Sequence, residues 1–191
     1  MALTDPVATF NAWMEEARAA GVSVPEAMTL ATADTAGRPS ARMLLLKGAD
    51  ERGFTFFSGY ESRKGRELTE NPRAALVFYW QPLGRQVRVE GTVRRLSEEE
   101  SDAYWATRPP RSRAAAAASR QSEPIESRDR LEAEFQRLLP GDEVRRPARW
   151  GGYVLEPDAI ELWQHRDDRL HERLRYTRAR EGGWREELLS P

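Results

Sequence analysis

The segment 74–94, AALVFYWQPLGRQVRVEGTVR, decides the fold class. Residues 74–80 form a run of apolar and aromatic side chains, and in residues 86–94 the pair Val87 and Val89 alternates with Arg88 and Glu90. An alternation of period two is typical of a β-strand with one buried face. Because the two predicted strands follow each other without a helix between them, they indicate an antiparallel sheet.

The rest of the chain repeats this organisation. Further strands are predicted over residues 28–33, 40–47, 53–58, 153–155 and 159–163, with two short strands around residues 178–183. Helices are predicted from Thr4-Asp5-Pro6 to Gly21, over 62–71, from Ser97 to about Pro109, and over 113–119 and 127–139. Adjacent strands with helices between and outside them, without a regular βαβ alternation, predict an α+β fold with an antiparallel sheet, most simply a barrel.

Composition excludes several classes of function. The 191 residues include 30 basic and 31 acidic side chains, and no basic stretch is interleaved with stacking aromatics, so nucleic-acid binding is not expected. The absence of cysteine removes disulfides and thiol chemistry and suits a reducing cytoplasm. The sequence has no apolar run long enough to span a membrane, and its first six residues do not read as a signal peptide. With two histidines and no cysteine, a metal site is not expected either.

Ionisable side chains alternate with other residues in Arg169-Leu170-His171-Glu172-Arg173 near the C-terminus. In an extended segment, this alternation would place Arg169, His171 and Arg173 on one face. Such a face could hold an anion and a planar ring together. A charged edge strand is the alternative interpretation, because charged residues protect sheet edges from aggregation.

Other basic and polar groups stand at predicted strand ends and helix starts. Ser62-Arg63-Lys64 precedes a helix, where unpaired backbone N–H groups and the helix dipole favour a phosphate. The other groups are Arg42 and Lys47, Gln121-Ser122, and Arg108 with Ser112 and Arg113. Since the sequence has no glycine-rich phosphate loop, these groups suggest a phosphorylated, planar cofactor or substrate.

Several motifs together resemble the pyridoxamine 5′-phosphate oxidase family from about Asp5 to Pro191. They are Arg42–Lys47, Ser62–Lys64, Asn71-Pro72, Arg85–Val87, Arg108-Pro109, Ser119–Ser122, Trp150–Gly152, Trp163-Gln164 and Arg169–Arg173. The resemblance implies an FMN-binding split antiparallel β-barrel with flanking helices that works as a homodimer. It also implies one domain over residues 1–191, with an N-terminal helix in 1–25, a helical insertion in 97–140 and C-terminal strands in 150–191 that complete the site.

The resemblance assigns the cofactor residues. Those expected to hold FMN are Arg42, Lys47, Phe57, Ser58, Arg63, Lys64, Gln86, Gln121 and Ser122, with Trp163 and Arg173 reaching in from the partner subunit. A dianionic phosphate needs several donors, and arginine can bind one through two N–H groups.

The resemblance also assigns the substrate residues and the reaction. Lys47, Tyr104, Arg108 and Ser112 are expected to hold the substrate phosphate, and Arg169 and His171 are expected to face the pyridine ring as the catalytic pair. The implied reaction oxidises the C4′ amine or alcohol of a vitamin B6 phosphate by hydride transfer to the flavin, and O2 is reduced to hydrogen peroxide.

Two alternatives follow from the same motifs. Glu172, residues 174–176 and the Gly182-Gly183-Trp184 ending also resemble the phenazine-biosynthesis flavin oxidases, which act on larger rings. The family's usual basic, tyrosine-containing N-terminal arm is not expected here, because the first helix begins within a few residues of Met1. A shorter arm would suit a bulkier substrate, whereas the four phosphate-binding residues favour a phosphorylated one. A non-catalytic flavin or B6-phosphate carrier is the third possibility.

Overall fold

The computed structural model describes residues 5–139 and 144–191. Asp5 is the N-cap of the first helix, α1 (Pro6–Ala19). Its carboxylate accepts a hydrogen bond of 3.0 Å from the Val7 N–H. Pro6 suits the first helical position because its missing N–H needs no partner there. The predicted helix start is therefore confirmed at Asp5 and Pro6, while Thr4 lies outside the described residues.

Nine strands and four further helices follow along the described chain. The strands are β1 (Ala27–Ala33), β2 (Pro39–Leu45), β3 (Gly48–Asp50), β4 (Gly53–Gly59), β5 (Arg73–Trp80), β6 (Arg85–Arg95), β7 (Trp150–Gln164), β8 (Glu172–Arg178) and β9 (Trp184–Leu188). The helices are α2 (Arg63–Glu70), α3 (Glu98–Thr107), α4 (Pro110–Ala118) and α5 (Arg128–Leu138). The predicted start of α3 is confirmed, because Ser97 and Glu100 cap it reciprocally.

All nine strands belong to one antiparallel sheet with the order β2-β1-β5-β6-β7-β4-β3, and β8 and β9 extend from β7. The two ends of this order, β2 and β3, are consecutive in the chain, and the Lys47 N–H donates to the Thr55 carbonyl at 2.8 Å. The sheet therefore curls round on itself. The predicted α+β class with a barrel-like antiparallel sheet is confirmed.

The interior of the curled sheet is apolar and aromatic. Phe10 of α1 packs edge-on against Phe54 and Phe78, with ring centroids 4.9 Å apart in both pairs. Edge-to-face packing is the arrangement that the ring quadrupoles favour. Val87 and Val89 are fully buried, whereas Arg88 and Glu90 lie on the outer face, as the alternation in segment 74–94 predicted.

Strand β7 differs most from the prediction. Residues 150–164 form one continuous strand, where two short strands, 153–155 and 159–163, were predicted. Pro157, which suggests a break, is tolerated at a bulge: Gly91 lies opposite Pro157 and Glu90 lies opposite Ala159, so Asp158 is the extra residue. Strand β3 is only three residues long and was not predicted as a separate element.

Helices α3, α4 and α5 lie between β6 and β7 in the chain, within the region 97–140 expected to be a helical insertion; Pro140 lies outside the described residues. Over the two described ranges, we find no helix with the length and apolar character that crossing a membrane requires. The N-terminal half of β7 pairs with β4 and its C-terminal half pairs with β8. The predicted site residues lie in two groups, one toward each end of this long strand.

Candidate active site

The first group surrounds the N-terminus of α2. The Lys64 amino group donates to Ser58 Oγ at 2.9 Å, to Ser62 Oγ at 3.1 Å and to Gln121 Oε1 at 3.0 Å. Lys64 is 6% exposed and has no salt bridge to a carboxylate within the described ranges. Burial, reinforced by the nearby positive charge of Arg42, lowers the pKa of Lys64 to about 8. A buried ammonium group with only neutral hydrogen-bond partners is suited to binding an anion.

Gln121 connects this group to the segment after α4. Its Oε1 accepts from Ser58 Oγ at 3.1 Å and from the Gly59 N–H at 3.4 Å, besides its bond from Lys64. Ser122 lies next to it in an exposed turn, where its φ of 71° falls in the left-handed region. The structure therefore brings Gln121 to Ser58 and Lys64, and leaves Ser122 on the surface.

The other side of α2 carries a buried ion-pair network. Arg42 donates to Thr32 Oγ1 at 2.6 Å and to the buried Glu67 carboxylate at 3.3 Å, and Arg63 Nε donates to Glu67 at 2.9 Å. Burial by itself would raise the pKa of Glu67. Hydrogen bonds from Ser40, Thr32 and Arg63, with the charge of Arg42, outweigh it and lower the pKa to about 2. Arg42 and Arg63 are thus held beside Lys64 by one carboxylate.

The four residues predicted to bind the substrate phosphate line a single cavity. Lys47, Tyr104, Arg108 and Ser112 surround a volume of about 490 Å³ together with Phe57 and residues 43–45. The Phe57 and Tyr104 rings are stacked with centroids 3.8 Å apart. The structure therefore brings this predicted set together.

Arg108 has a defined position in this cavity. Its guanidinium lies 4.8 Å over the Trp150 ring, and its Nη2 donates to the Ser112 carbonyl at 2.9 Å. Its buried Nε has no hydrogen-bond partner among the described residues. Arginine has five N–H groups, and in the described part of the chain the Arg108 guanidinium makes only the hydrogen bond to Ser112, so its terminal nitrogens can still donate to an acceptor in the cavity.

A second cavity, of about 350 Å³, adjoins the first. Phe57, Arg108 and Ser112 line both cavities, and Ser58, Ser62 and Gln121 line the second. Predicted cofactor residues and predicted substrate residues thus share one continuous wall. Arg149 and Trp150 also line the second cavity. Neither was predicted as a site residue, although Trp150 belongs to the Trp150-Gly151-Gly152 motif and Arg149 directly precedes it.

The second group lies on the outer face of the sheet, across β6, β7 and β8. Gln86 is the register partner of Trp163, and Trp163 is the register partner of Arg173, so the three form a row. The His171 ring lies 4.7 Å from the Trp163 ring. Gln86, which we had grouped with Arg42, Arg63 and Lys64, therefore lies beside the residues expected to come from the partner subunit.

The predicted common face of Arg169, His171 and Arg173 is only partly correct. His171 directly precedes β8, and Arg173 is the second residue of that strand. Arg169 lies in the turn before β8, with a φ of 66°. The turn is held by Asp168, which accepts from the Leu170 N–H at 2.9 Å, and by the Arg166 N–H, which donates to His171 Nδ1 at 3.1 Å. A left-handed residue reverses the chain direction, so the alternation does not extend to Arg169.

The two groups lie near opposite ends of β7. Trp150, at the N-terminal end, lines the second cavity, and Trp163 lies near the C-terminal end. Thirteen residue steps at roughly 3.3 Å per residue set an upper limit of about 43 Å for the path along the strand, which the bulge at Asp158 and the twist shorten. Within one copy of the chain, the two groups of predicted site residues therefore lie near opposite ends of β7.

Two carboxylates in these groups were not predicted from the sequence. Glu67 stands four residues after Arg63, which is the spacing of an ion pair on a helix. Glu161 stands two residues before Trp163 on the same strand face, and it accepts two bonds from Arg173. Both signals are visible in the sequence once the helix and the strand are known.

Comparison with known proteins gives two family matches. The family described as pyridoxamine 5′-phosphate oxidase matches residues 14–140, and the pyridoxine 5′-phosphate oxidase C-terminal dimerisation region matches residues 150–191. A pyridoxine/pyridoxamine 5′-phosphate oxidase of Rubrobacter xylanophilus is 59% identical, over 98% of this chain and 87% of its own length. The enzyme of the same name from Paraburkholderia phymatum is 56% identical, over 98% of this chain and 89% of its own length.

Solved structures give the same result for the fold. PhzG from Burkholderia lata, in complex with tetrahydrophenazine-1-carboxylic acid, superposes with a TM-score of 0.95 at 39% identity, covering 98% of this chain and 93% of its own. A pyridoxamine 5′-phosphate oxidase-related, FMN-binding protein from Nostoc punctiforme has a TM-score of 0.81 at 20% identity and full coverage of both chains, which confirms the split-barrel fold. The chain therefore belongs to the pyridoxamine 5′-phosphate oxidase family of FMN-dependent oxidoreductases, so the predicted family, enzyme class and cofactor are confirmed.

Proposed function

We propose that this chain oxidises pyridoxamine 5′-phosphate and pyridoxine 5′-phosphate to pyridoxal 5′-phosphate, with O2 reduced to hydrogen peroxide. The main support for the proposal is the cavity in which Lys47, Tyr104, Arg108 and Ser112 converge. This cavity adjoins the one lined by Ser58, Ser62 and Gln121, the hydrogen-bond partners of Lys64, which are called the Lys64 group together with it. The named relatives at 56–59% identity support the same substrates.

The residues around α2 fit the phosphate of FMN. Lys64, Arg42 and Arg63 supply positive charge, and Ser58, Ser62 and Gln121 supply hydroxyl and amide groups around the Lys64 amino group. A phosphate would give the buried Lys64 ammonium the anionic partner that its neutral neighbours do not provide. When bound, FMN supplies the two-electron redox chemistry, and the protein supplies binding, orientation and charge.

The substrate residues have separate tasks. Lys47, Tyr104, Arg108 and Ser112 bind the substrate phosphate, and the Phe57 ring, stacked on the ring of Tyr104, forms an apolar wall of the cavity. Arg169 and His171 face the pyridine ring from the other half-site, where His171 orients the reacting C4′ group. For the amine, the product of oxidation is an imine that water hydrolyses to the aldehyde. O2 takes up the two electrons with two protons.

The two half-sites suggest that the active protein is a homodimer. Trp163 lies near the C-terminal end of β7, whereas Trp150, which lines a cavity with Ser58, Ser62 and Gln121, lies at its N-terminal end. A second copy can therefore supply Trp163 and Arg173 to the first copy's cofactor. Residues 150–191 match a dimerisation region, and the outer sheet face exposes Met43 and Leu45 on β2 and Tyr79 on β5. Exposed large apolar side chains on one face are typical of a subunit interface.

A phenazine-type oxidase is the second candidate. The close superposition on PhzG favours it, whereas the higher identity to the B6 phosphate oxidases and the phosphate-binding set favour the first proposal. We also propose that the chain is a single functional domain and acts in the cytoplasm, which its cysteine-free composition suits.

Anaerobic mixing with candidate substrates tests the proposal. Pyridoxamine 5′-phosphate is expected to bleach the 450 nm flavin band of the FMN-loaded protein, and unphosphorylated pyridoxamine is expected to leave it largely oxidised. Bleaching only by a dihydrophenazine carboxylate would support the phenazine-type reaction. FMN binding without bleaching, and without peroxide release when the same substrates are mixed in air, would indicate a non-catalytic carrier.

A further inference from the structure

Glu161 is a buried carboxylate on the outer face of β7, between arginines of both neighbouring strands. It is 8% exposed. Arg173 of β8 donates to it through Nε at 2.8 Å and Nη2 at 3.2 Å, and Arg88 of β6 donates through Nη1 at 3.4 Å. None of the sequence motifs pointed to this residue.

The two bonds to Glu161 fix the direction of the Arg173 guanidinium. A carboxylate that receives two parallel N–H bonds holds the planar guanidinium in one orientation. The Arg173 Nη1 also donates to the Ser190 carbonyl at 3.0 Å. Of the five N–H groups of an arginine, one on each terminal nitrogen then remains to donate to a ligand.

We propose that Glu161 is a positioning residue that orients Arg173 toward the flavin bound mainly by the partner copy. The inference rests on the proposed function, in which Arg173 and Trp163 reach that flavin. An arginine on a free side chain loses rotational freedom when it binds a ligand, and an arginine already held by Glu161 loses less. Glu161 thus raises FMN affinity without touching the flavin.

Glu90 provides a matched control on the same face. Its carboxylate accepts from Arg88 at 2.9 Å and, among the described residues, makes no hydrogen bond or salt bridge with Arg173. Glu161→Gln and Glu90→Gln remove the same charge and keep the side-chain size. Both variants leave Arg88 with one carboxylate partner instead of two, so their difference reports on Arg173.

A double-mutant cycle on FMN affinity tests the proposal. FMN is titrated into the cofactor-free full-length protein, and quenching of its fluorescence gives Kd for the wild type, Glu161→Gln, Arg173→Ala and the double variant. We expect Glu161→Gln and Arg173→Ala each to weaken binding roughly tenfold or more, and the double variant to bind no more weakly than Arg173→Ala alone. Glu90→Gln is expected to bind like the wild type.

The outcomes separate the inference from the function on which it rests. If Arg173→Ala binds FMN as tightly as the wild type, the proposed composite site is wrong. If Arg173→Ala weakens binding and Glu161→Gln does not, or if their effects multiply in the double variant, the positioning role is wrong. Should Glu161→Gln fail to fold, Glu161→Asp keeps the charge on a shorter side chain, and the same cycle with that variant decides the matter.

Discussion

The Lys64 amino group and the Gln121 side-chain oxygen are 3.0 Å apart, although 57 positions separate them in the sequence. Lys64 is buried at the start of α2, and its partners there are neutral hydroxyl and amide oxygens. Burial keeps its pKa at about 8, well below the ordinary value for lysine. The amino group therefore titrates within an accessible pH range.

FMN affinity should fall as the pH rises above about 8. Lys64 is then increasingly neutral in the unliganded protein, while the bound phosphate favours the charged form, so binding takes up a proton. We expect affinity up to about tenfold lower at pH 9 than at pH 7. Calorimetric titration of FMN at pH 9 in two buffers of different ionisation enthalpy measures the number of protons taken up on binding. Lys64→Arg stays charged over this range and should lose the pH dependence; equal wild-type affinity at both pH values would contradict the assignment.

Lys64→Met should stabilise the cofactor-free protein while weakening FMN binding. The depressed pKa means that the unfolded chain binds the proton more tightly, so below pH 8 the buried charge costs stability. Replacing it with an apolar side chain of similar length should raise the free energy of unfolding at pH 7 by about 1–3 kcal/mol. Urea unfolding of both cofactor-free proteins gives the difference. A lower stability for Lys64→Met would show that its hydrogen bonds outweigh the cost of burial.

Glu67 is expected to make the protein acid-sensitive. Its pKa is lowered to about 2 in the folded protein, so its stabilising contribution is complete above pH 4.5 and is lost as the pH falls toward 2. Glu67→Gln should cost about 3 kcal/mol at pH 7 and flatten the stability profile between pH 4.5 and 2. Glu70→Gln, at an exposed position of the same helix, is the control. Parallel pH profiles for wild type and Glu67→Gln would rule out this role.

Two inactive variants, one in each of the two groups of site residues, should restore activity when mixed. Lys64→Met damages the phosphate half-site, and Arg173→Ala damages the half-site on the outer face. After random subunit exchange, half of the dimers combine the two variants, and each of these has one intact site, so roughly a quarter of all sites should be active. Peroxide release by the mixture, against either variant alone, measures the recovery. No recovery despite exchange would place both residues in a site within one chain.

Arg108→Ala should impair the use of phosphorylated substrate specifically. The loss of a charge-assisted hydrogen bond in the cavity costs about 1.5–3 kcal/mol, so KM for pyridoxamine 5′-phosphate should rise about tenfold or more. Activity toward unphosphorylated pyridoxamine should change little. Arg111→Ala is the control, because Arg111 is exposed and its guanidinium lies 5.3 Å from the Phe135 ring, away from the cavity. A similar KM increase for both substrates would mean that Arg108 does not bind the phosphate.

The fold was predictable where a single periodicity governs a segment. Val87 and Val89 face the core and Arg88 and Glu90 face outward, because burial of one face of a strand imposes period two. The prediction failed at Pro157, where proline normally ends a strand. A backbone bulge opposite Gly91 accommodates it, and a Cβ at residue 91 would lie only 2.1 Å from the Glu156 carbonyl oxygen. Such an arrangement depends on the neighbouring strand, so local sequence does not reveal it.

The candidate site was predictable from the family motifs rather than from the pattern of residues. Lys47, Tyr104, Arg108 and Ser112 are far apart in the sequence, and only the tertiary fold brings them to one cavity. Arg169 shows the limit of the local argument. The alternation in residues 169–173 predicted a common face, but hydrogen bonds from the backbone N–H groups of Leu170 and Arg166 to the side chains of Asp168 and His171 hold a turn there. Glu67 and Glu161 were missed because carboxylates that orient arginines carry no motif of their own.

The continuity of β7 has a thermodynamic consequence. Trp150, beside the Lys64 group, lies at the start of this strand, and Trp163, beside Arg173, lies near its end. In the proposed dimer, each flavin therefore contacts the start of β7 from one subunit and the end of β7 from the other. A cofactor that bridges two subunits binds the dimer more tightly than the separated chains, and reciprocity requires that it strengthen their association by the same factor. FMN would then stabilise the dimer, and dilution would dissociate the subunits and release the cofactor together.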